Sequence, residues 1–319
     1  RRMRGEAITG MRSSLCLLGA LLGKCGYVTM EHPGGCVIGD RPIDLHIHAL
    51  EQMGVEFHEE DGLLSARAKN LHGARITLKF PSVGATENIL LAAVKATGDT
   101  VITGAALEPE VIALCEFLTA CGASIEGIGS PELIIHGGED LHGTRYTVPT
   151  DRIVAGTYAA AVMAATGSIT LKEVRAAELE LPLELLKRSG ASVRKDSCCR
   201  QIRIEMKKRP QPLDIRTGPY PEFPTDLQSP YMAFLASGQG TSTIVEQVFE
   251  GRFATAKALG QMGAVVETEG QRAVIKGSYP LKGADVYASD LRGGAALAVA
   301  ALAAEGKTLI NDCRHIERG

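Results

Sequence analysis

Leu118-Thr119-Ala120-Cys121-Gly122-Ala123 ends an amphipathic run and has three counterparts: Leu50-Glu51-Gln52-Met53-Gly54-Val55, Leu186-Lys187-Arg188-Ser189-Gly190-Ala191 and Leu259-Gly260-Gln261-Met262-Gly263-Ala264. Their glycines, at 54, 122, 190 and 263, are 68, 68 and 73 residues apart. A second marker keeps the period: Leu71-His72-Gly73, Leu141-His142-Gly143, Pro212-Leu213-Asp214 and Leu281-Lys282-Gly283 begin at 71, 141, 212 and 281, steps of 70, 71 and 69. Two independent markers with one period define an internal repeat. Between them the pattern reads as strand, polar turn, alanine-rich helix, strand, second amphipathic helix, glycine turn and closing strands, a βαβαββ unit. The unit from 71 to 137 predicts a strand over 74–80, a helix over 86–96, a strand over 100–103, a helix over 109–120 and a strand over 123–126. Counting gives one unit ending near residue 60, complete ones at 71–137, 141–207 and 212–277, and a last one from 281 that stops before its second helix. Helices apolar on most sides, such as 159–165 and 295–304, are expected inside their domain with the sheets outside. A solenoid fits the period equally well. It does not explain why glycine-rich irregularity is concentrated at 31–42.

A chain of 319 residues exceeds what one hydrophobic core usually serves, so two domains are expected. A net charge of −3 supplies no basic surface for nucleic acid, and with no Trp and 4% aromatics there are no stacking platforms for single strands. The apolar run 295–304 is too short to span a bilayer, so no membrane insertion is expected. Eight cysteines, at 16, 25, 36, 115, 121, 198, 199 and 313, form neither a metal-ligand spacing nor a dense disulfide framework, which suits a reducing compartment.

The irregular stretch is Pro33-Gly34-Gly35-Cys36-Val37-Ile38-Gly39-Asp40-Arg41-Pro42. Glycines at 34, 35 and 39 open backbone conformations closed to other residues, and the two prolines bound the segment. A thiol presented on such a loop beside the Arg41 guanidinium has its thiolate favoured by the positive charge. Residue type alone equally allows Cys36 to be an inert small hydrophobe.

That loop extends into Asp44-Leu45-His46, and four further runs accompany it: Pro81-Ser82-Val83-Gly84-Ala85-Thr86-Glu87-Asn88, Phe223-Pro224-Thr225-Asp226-Leu227-Gln228, Ser289-Asp290-Leu291-Arg292 and His315-Ile316-Glu317-Arg318-Gly319. In this order and without large insertions, they resemble the UDP-N-acetylglucosamine 1-carboxyvinyltransferase family over the whole chain. The resemblance implies an α/β fold, a two-domain inside-out barrel of βαβαββ units with five of six present, divided as 1–150, carrying the Cys36 loop, and 151–319. It implies a fragment lacking an amino-terminal unit and a carboxyl-terminal tail, and hence a polypeptide inactive by itself although its full-length parent is active.

The implied reaction joins the enolpyruvyl group of phosphoenolpyruvate to the 3′-hydroxyl of UDP-N-acetylglucosamine and releases phosphate, in bacterial peptidoglycan synthesis in the cytoplasm, with no cofactor and no metal. Such an addition needs a general acid and a general base. By resemblance Cys36 is the acid and Asp226 the base; read alone, Asp226 before an apolar run is a helix N-cap. The two anionic groups of phosphoenolpyruvate call for cations, and Arg binds carboxylate and phosphate in a planar fork. By resemblance these are Arg12, Arg41, Arg292 and Arg318, with Asp290 orienting Arg292 or assisting proton transfer. Arg41, Pro42, Ile43, Asp44, Leu45 and His46 match the uridine-contacting segment, and Ser82, Val83 and Gly84 the diphosphate-contacting one, where a helix start offers free N–H groups and a positive dipole end. Ser82 also fits a plain cap. Val248 and Phe249 match sugar or nucleotide contacts.

The departures are Asp40 near the thiol, Phe80 where some relatives have Lys, and Gly251 where Asn is common. The family's cysteine is alkylated by the epoxide fosfomycin, so sensitivity is expected. Two alternatives stand beside this reading: a transferase like 5-enolpyruvylshikimate-3-phosphate synthase, which lacks the cysteine loop, and a catalytically silent UDP-sugar-binding homologue.

Overall fold

In the computed structural model, which describes residues 2–34, 38, 39, 42–196, 198 and 200–317, the four marker glycines all take positive φ: +85° at Gly54, +103° at Gly122, +106° at Gly190 and +86° at Gly263. Each ends a helix by the left-handed turn that glycine adopts without penalty. The second marker is tied to the first by a backbone hydrogen bond. His72 N donates to Met53 O (3.1 Å), His142 N to Cys121 O (2.8 Å), Gln211 N to Ser189 O (2.9 Å) and Lys282 N to Met262 O (2.8 Å). Each acceptor is the carbonyl just before a marker glycine, one of the helix-end acceptors without a partner inside the helix.

Three units build four-stranded sheets of the same order. The strands lie as Arg2–Met3, Tyr27–Glu31, Leu63–Ala68 and Val55–Glu60; as Arg75–Thr77, Asp99–Thr103, Glu132–His136 and Ser124–Glu126; and as Asp214–Arg216, Thr241–Val245, Arg272–Lys276 and Val265–Glu269. In each sheet the first pair is parallel across a helical crossover and the other two pairs are antiparallel. Two sequence expectations are corrected here. The first unit does not end near 60; it runs from Arg2 to Ala68, with helices Cys16–Cys25 and Asp44–Gln52 between its strands. The third unit, expected complete over 141–207, has three strands among the described residues, Ser168–Leu171, Ser192–Asp196 and Gln201–Glu205. Residues 141–151, where its opening strand was expected, contain none. Here Tyr146 reaches back to the preceding unit, its hydroxyl donating to Ala113 O (3.2 Å) and lying 3.1 Å from Glu116 Oε2, and Pro149 has no N–H for a ladder. The marker glycines agree: a Cβ on Gly73 would lie 2.1 Å from Asp99 O, whereas nothing lies within 4 Å of one on Gly143. The last unit pairs Asp285–Tyr287 with Leu309–Asn311 in parallel, across the helix Leu291–Ala301.

The described residues form two compact units, 2–34 with 42–149, and 150–317 with residues 38 and 39. Each has its own core. In the first, the helices Cys16–Cys25 and Val83–Ala93 pack together and bury Leu18, Leu22, Ile89 and Leu90. In the second, Arg152–Ala165, Gln228–Ala236 and Leu291–Ala301 pack on one another. All nine residues of Gln228–Ala236 are buried. The sheets cover these helices with alternating strands, Ile202 and Ile204, Ile244, and Ala273 and Ile275 pointing inward. Helices apolar on most sides are satisfied only in such a position, which puts the sheets outside. It also leaves the strand-to-helix turns free to carry polar groups.

Candidate active site

Asp226 lies in such a turn. A short 3-10 turn, Thr225–Leu227, leads from Pro224 into the helix Gln228–Ala236. Leu227 anchors it: Leu227 is fully buried, and a Cβ on Gly156 would come within 2.5 Å of its Cδ1, so the glycine admits the leucine. The N-cap reading of Asp226 does not hold, since neither helical segment has a side-chain cap bond there. Its carboxylate instead joins two guanidiniums. Arg252 Nη2 donates to Oδ1, and Arg292 Nη2 donates to Oδ2 at 2.7 Å. The Asp226 side chain is 35% exposed, whereas Arg252 is 3% exposed. Burial pushes the Asp226 pKa up, but the Arg252 and Arg292 charges and their hydrogen bonds outweigh it and hold the carboxyl below its ordinary value.

Arg252, next to Gly251, has no role in the sequence reading. It opens the turn Arg252–Ala254, with Nε donating to Thr225 Oγ1 (3.2 Å) and its guanidinium 5.2 Å from the centre of the Phe249 ring. The available signal was its place at the unit's second strand-to-helix turn. Val248, three residues after the end of the strand Thr241–Val245, is half-buried. Asp290 is a helix cap: Oδ1 accepts from Arg292 N and Gly293 N, both at 3.0 Å, and Oδ2 is 2.8 Å from Ser289 Oγ. It therefore fixes the first turn of the helix that carries Arg292. Ile316 rests on that helix, since a Cβ on Gly294 would meet its Cγ1 at 2.6 Å. Also in this unit, Gly251 N donates to Ile38 O (2.9 Å), and a Cβ at 251 would approach Ile38 C to 2.8 Å. The glycine at 251 thus permits a contact that a side chain would disturb.

The first unit gathers the other candidates. Arg12 Nη2 donates to Pro42 O (3.2 Å). Ile43 and Leu45 are partly buried against the core, while Pro42 and Asp44 are exposed at the start of the helix Asp44–Gln52. His46 faces inward at 6% exposure. Burial first, and the Arg12 charge second, lower its pKa to about 4 against an opposite pull from Asp44. The ring is neutral, and Nδ1 accepts from Asn88 Nδ2 at 2.8 Å, so the ring proton sits on Nε2. Asn88 also donates to Leu15 O (3.0 Å) and accepts from Gly19 N (2.7 Å). Ser82 caps the helix Val83–Ala93 by accepting from Ala85 N (3.3 Å), and Gly84 leaves room for His46, whose Cε1 would lie 3.1 Å from a Cβ there. Cys36, Arg41 and Arg318 lie outside the described residues. Among the described residues no group of three or more His, Cys, Asp or Glu is placed to hold a metal ion, and no helix is long and apolar enough to cross a membrane.

A family model described as EPSP synthase (3-phosphoshikimate 1-carboxyvinyltransferase) matches residues 2–319. Two relatives named UDP-N-acetylglucosamine 1-carboxyvinyltransferase, from Corynebacterium efficiens and Zymomonas mobilis, are each 45% identical over 313 and 318 residues, covering 98% of this chain and 74% of theirs. Among solved structures, the enolpyruvyl transferase NikO from Streptomyces tendae superposes with a TM-score of 0.84 at 25% identity, over 97% of this chain and 74% of that one. EPSP synthase from Acinetobacter baumannii gives 0.70 at 20% identity over 95% and 74%, a likeness of fold. The fold is that of the enolpyruvyl transferases. The chain belongs to the EPSP synthase family of carboxyvinyl transferases.

Proposed function

We propose that the protein transfers the enolpyruvyl group of phosphoenolpyruvate to the 3′-hydroxyl of UDP-N-acetylglucosamine, releasing phosphate, as a cytoplasmic step of peptidoglycan synthesis. The observation that carries the reading is Asp226 held between Arg252 and Arg292, a proton acceptor joined to anion-binding cations. The two relatives 45% identical over 98% of the chain supply the acceptor sugar. In the addition step the sugar oxygen bonds to C2 of phosphoenolpyruvate, its proton passes to Asp226, and Cys36 gives a proton to C3. In the elimination step C3 loses a proton, the C2–O bond to phosphate breaks and the enol ether forms. Arg12, Arg41, Arg292 and Arg318 are the cations offered to the anionic groups of phosphoenolpyruvate. Each substrate anion that draws Arg292 from Asp226 removes a charge that weakens the carboxylate as a base, so substrate arrival prepares the proton transfer. Residues 41–46, Ser82, Val83 and Gly84 serve the nucleotide, with the dipole of the helix Val83–Ala93 facing the diphosphate.

The full-length protein should release phosphate with UDP-N-acetylglucosamine and not with shikimate 3-phosphate. Fosfomycin with the nucleotide sugar should add once, at Cys36. Cys16 and Cys115 should stay unlabelled, because burial, with Glu87 assisting at Cys16, raises their thiol pKa values to about 12 and about 11. Turnover of shikimate 3-phosphate, or an adduct on Cys16 or Cys115 in place of Cys36, would overturn the assignment.

A further inference from the structure

Glu246 follows the strand Thr241–Val245 and is 1% exposed. A carboxylate removed from water is tolerated only when its lone pairs are met by donors. Here there are four. Oε1 accepts from Thr217 Oγ1 (2.9 Å), Val248 N (2.8 Å) and Phe249 N (3.1 Å), and Oε2 accepts from Thr225 Oγ1 (2.9 Å). An ionised carboxylate only accepts, so both threonine protons are spent on it and both hydroxyl oxygens are left as acceptors. Thr217 Oγ1 then receives Gln247 N–H at 2.9 Å, and Thr225 Oγ1 receives Arg252 Nε–H at 3.2 Å. With Nε fixed, the same planar guanidinium delivers Nη2 to Asp226.

We propose that Glu246 is a positioning residue for enolpyruvyl transfer. It touches neither substrate nor Asp226. By setting the donor sense of Thr225 it decides which edge of Arg252 meets Asp226, and by holding Val248 N and Phe249 N it sets the turn that carries Val248 and the ring beside Arg252. Glutamine at 246 reverses part of this pattern, because an amide nitrogen donates where the carboxylate accepted. The inference rests on reading Asp226 as the base of the transferase.

The test uses the full-length protein. Glu246→Gln and Thr225→Val should each lower kcat about tenfold or more, as expected for a displaced catalytic contact, while KM for UDP-N-acetylglucosamine changes far less. The double variant should be no slower than the slower single one, since both changes act through Arg252, and Thr225→Ser should regain most of what Thr225→Val loses. A second readout needs no turnover: the Arg252 Nε–H resonance, slow to exchange in the wild type, should exchange rapidly in Glu246→Gln and Thr225→Val and recover in Thr225→Ser. Native kcat in a folded Glu246→Gln variant, multiplicative losses in the double variant, or an unchanged Nε–H signal would overturn the proposal. If Glu246→Gln does not fold, the Thr225 pair decides by the same two readouts. A wild type that transfers no enolpyruvyl group overturns the reaction instead, and the Nε–H signal still judges the positioning of Arg252.

Discussion

The carboxyl of Asp226 carries two opposed influences, burial that raises its pKa and two guanidiniums that lower it, with the guanidiniums ahead. A depressed carboxyl stabilises the folded chain above its ordinary value of 3.8, and that contribution is lost as the pH falls through the depressed value. With Asp226 as the proposed base, the same balance would set catalysis. Arg292→Gln removes one charge, so the Asp226 pKa rises and the acidic limb of the kcat/KM profile should move to higher pH. A limb that stays in place would mean that another group is the base. The local signal around Asp226 was ambiguous, because Pro-Thr-Asp before an apolar run fits a cap. The ion pair that replaces it joins residues far apart in sequence, which no local pattern specifies. Arg252 was missed for the same reason, since its partners come from an earlier turn of its unit. Asp290 shows the converse: its chemical assignment came from resemblance, while its geometry is the cap that local reasoning supplies.

The marker glycines differ in what surrounds them, which makes a graded test of the repeat. A Cβ on Gly54 would lie 2.9 Å from both Asn70 O and His72 Nε2, whereas one on Gly263 meets nothing within 4 Å. Both have positive φ. Gly263→Ala should therefore cost about 1 kcal/mol from the backbone alone, and Gly54→Ala about 2–3 kcal/mol, measured by urea unfolding. Equal costs would show that the approach of the second marker does not constrain the first. Element type was legible in the unit from 71 to 137, where the helix Pro109–Ala120 falls on its expected bounds. The preceding helix was read over 86–96 and lies at Val83–Ala93, because Ser82 caps it and starts it earlier. The opening strand of the third unit was illegible in a different way. Its residues carry the marker, but the tether of Tyr146 to Ala113 and Glu116 is tertiary.

The two cores, apart from residues 38 and 39, fall on either side of residues 149 and 150, which makes the molecule divisible in a predictable place. Val148 is 81% exposed within a stretch that lacks strand or helix, so brief digestion with a nonspecific protease should cut near 148 before cutting either core. Early cleavage inside the helix Gln228–Ala236 would contradict the separate core that buries it. The period of the repeat carried this architecture in the sequence, because each unit obeys the same constraint: a helix apolar on most sides must lie under a sheet. The arrangement of Thr217, Thr225, Glu246 and Arg252 was not carried by the period, since it belongs to a single unit. The bonds from His72, His142, Gln211 and Lys282 to the preceding helix ends have a further consequence for how the chain is made. On the ribosome, the helix Pro109–Ala120 keeps a bare carbonyl at Cys121 until residue 142 has emerged. Each copy is thus finished by its successor, and the nascent chain matures one repeat behind its leading edge.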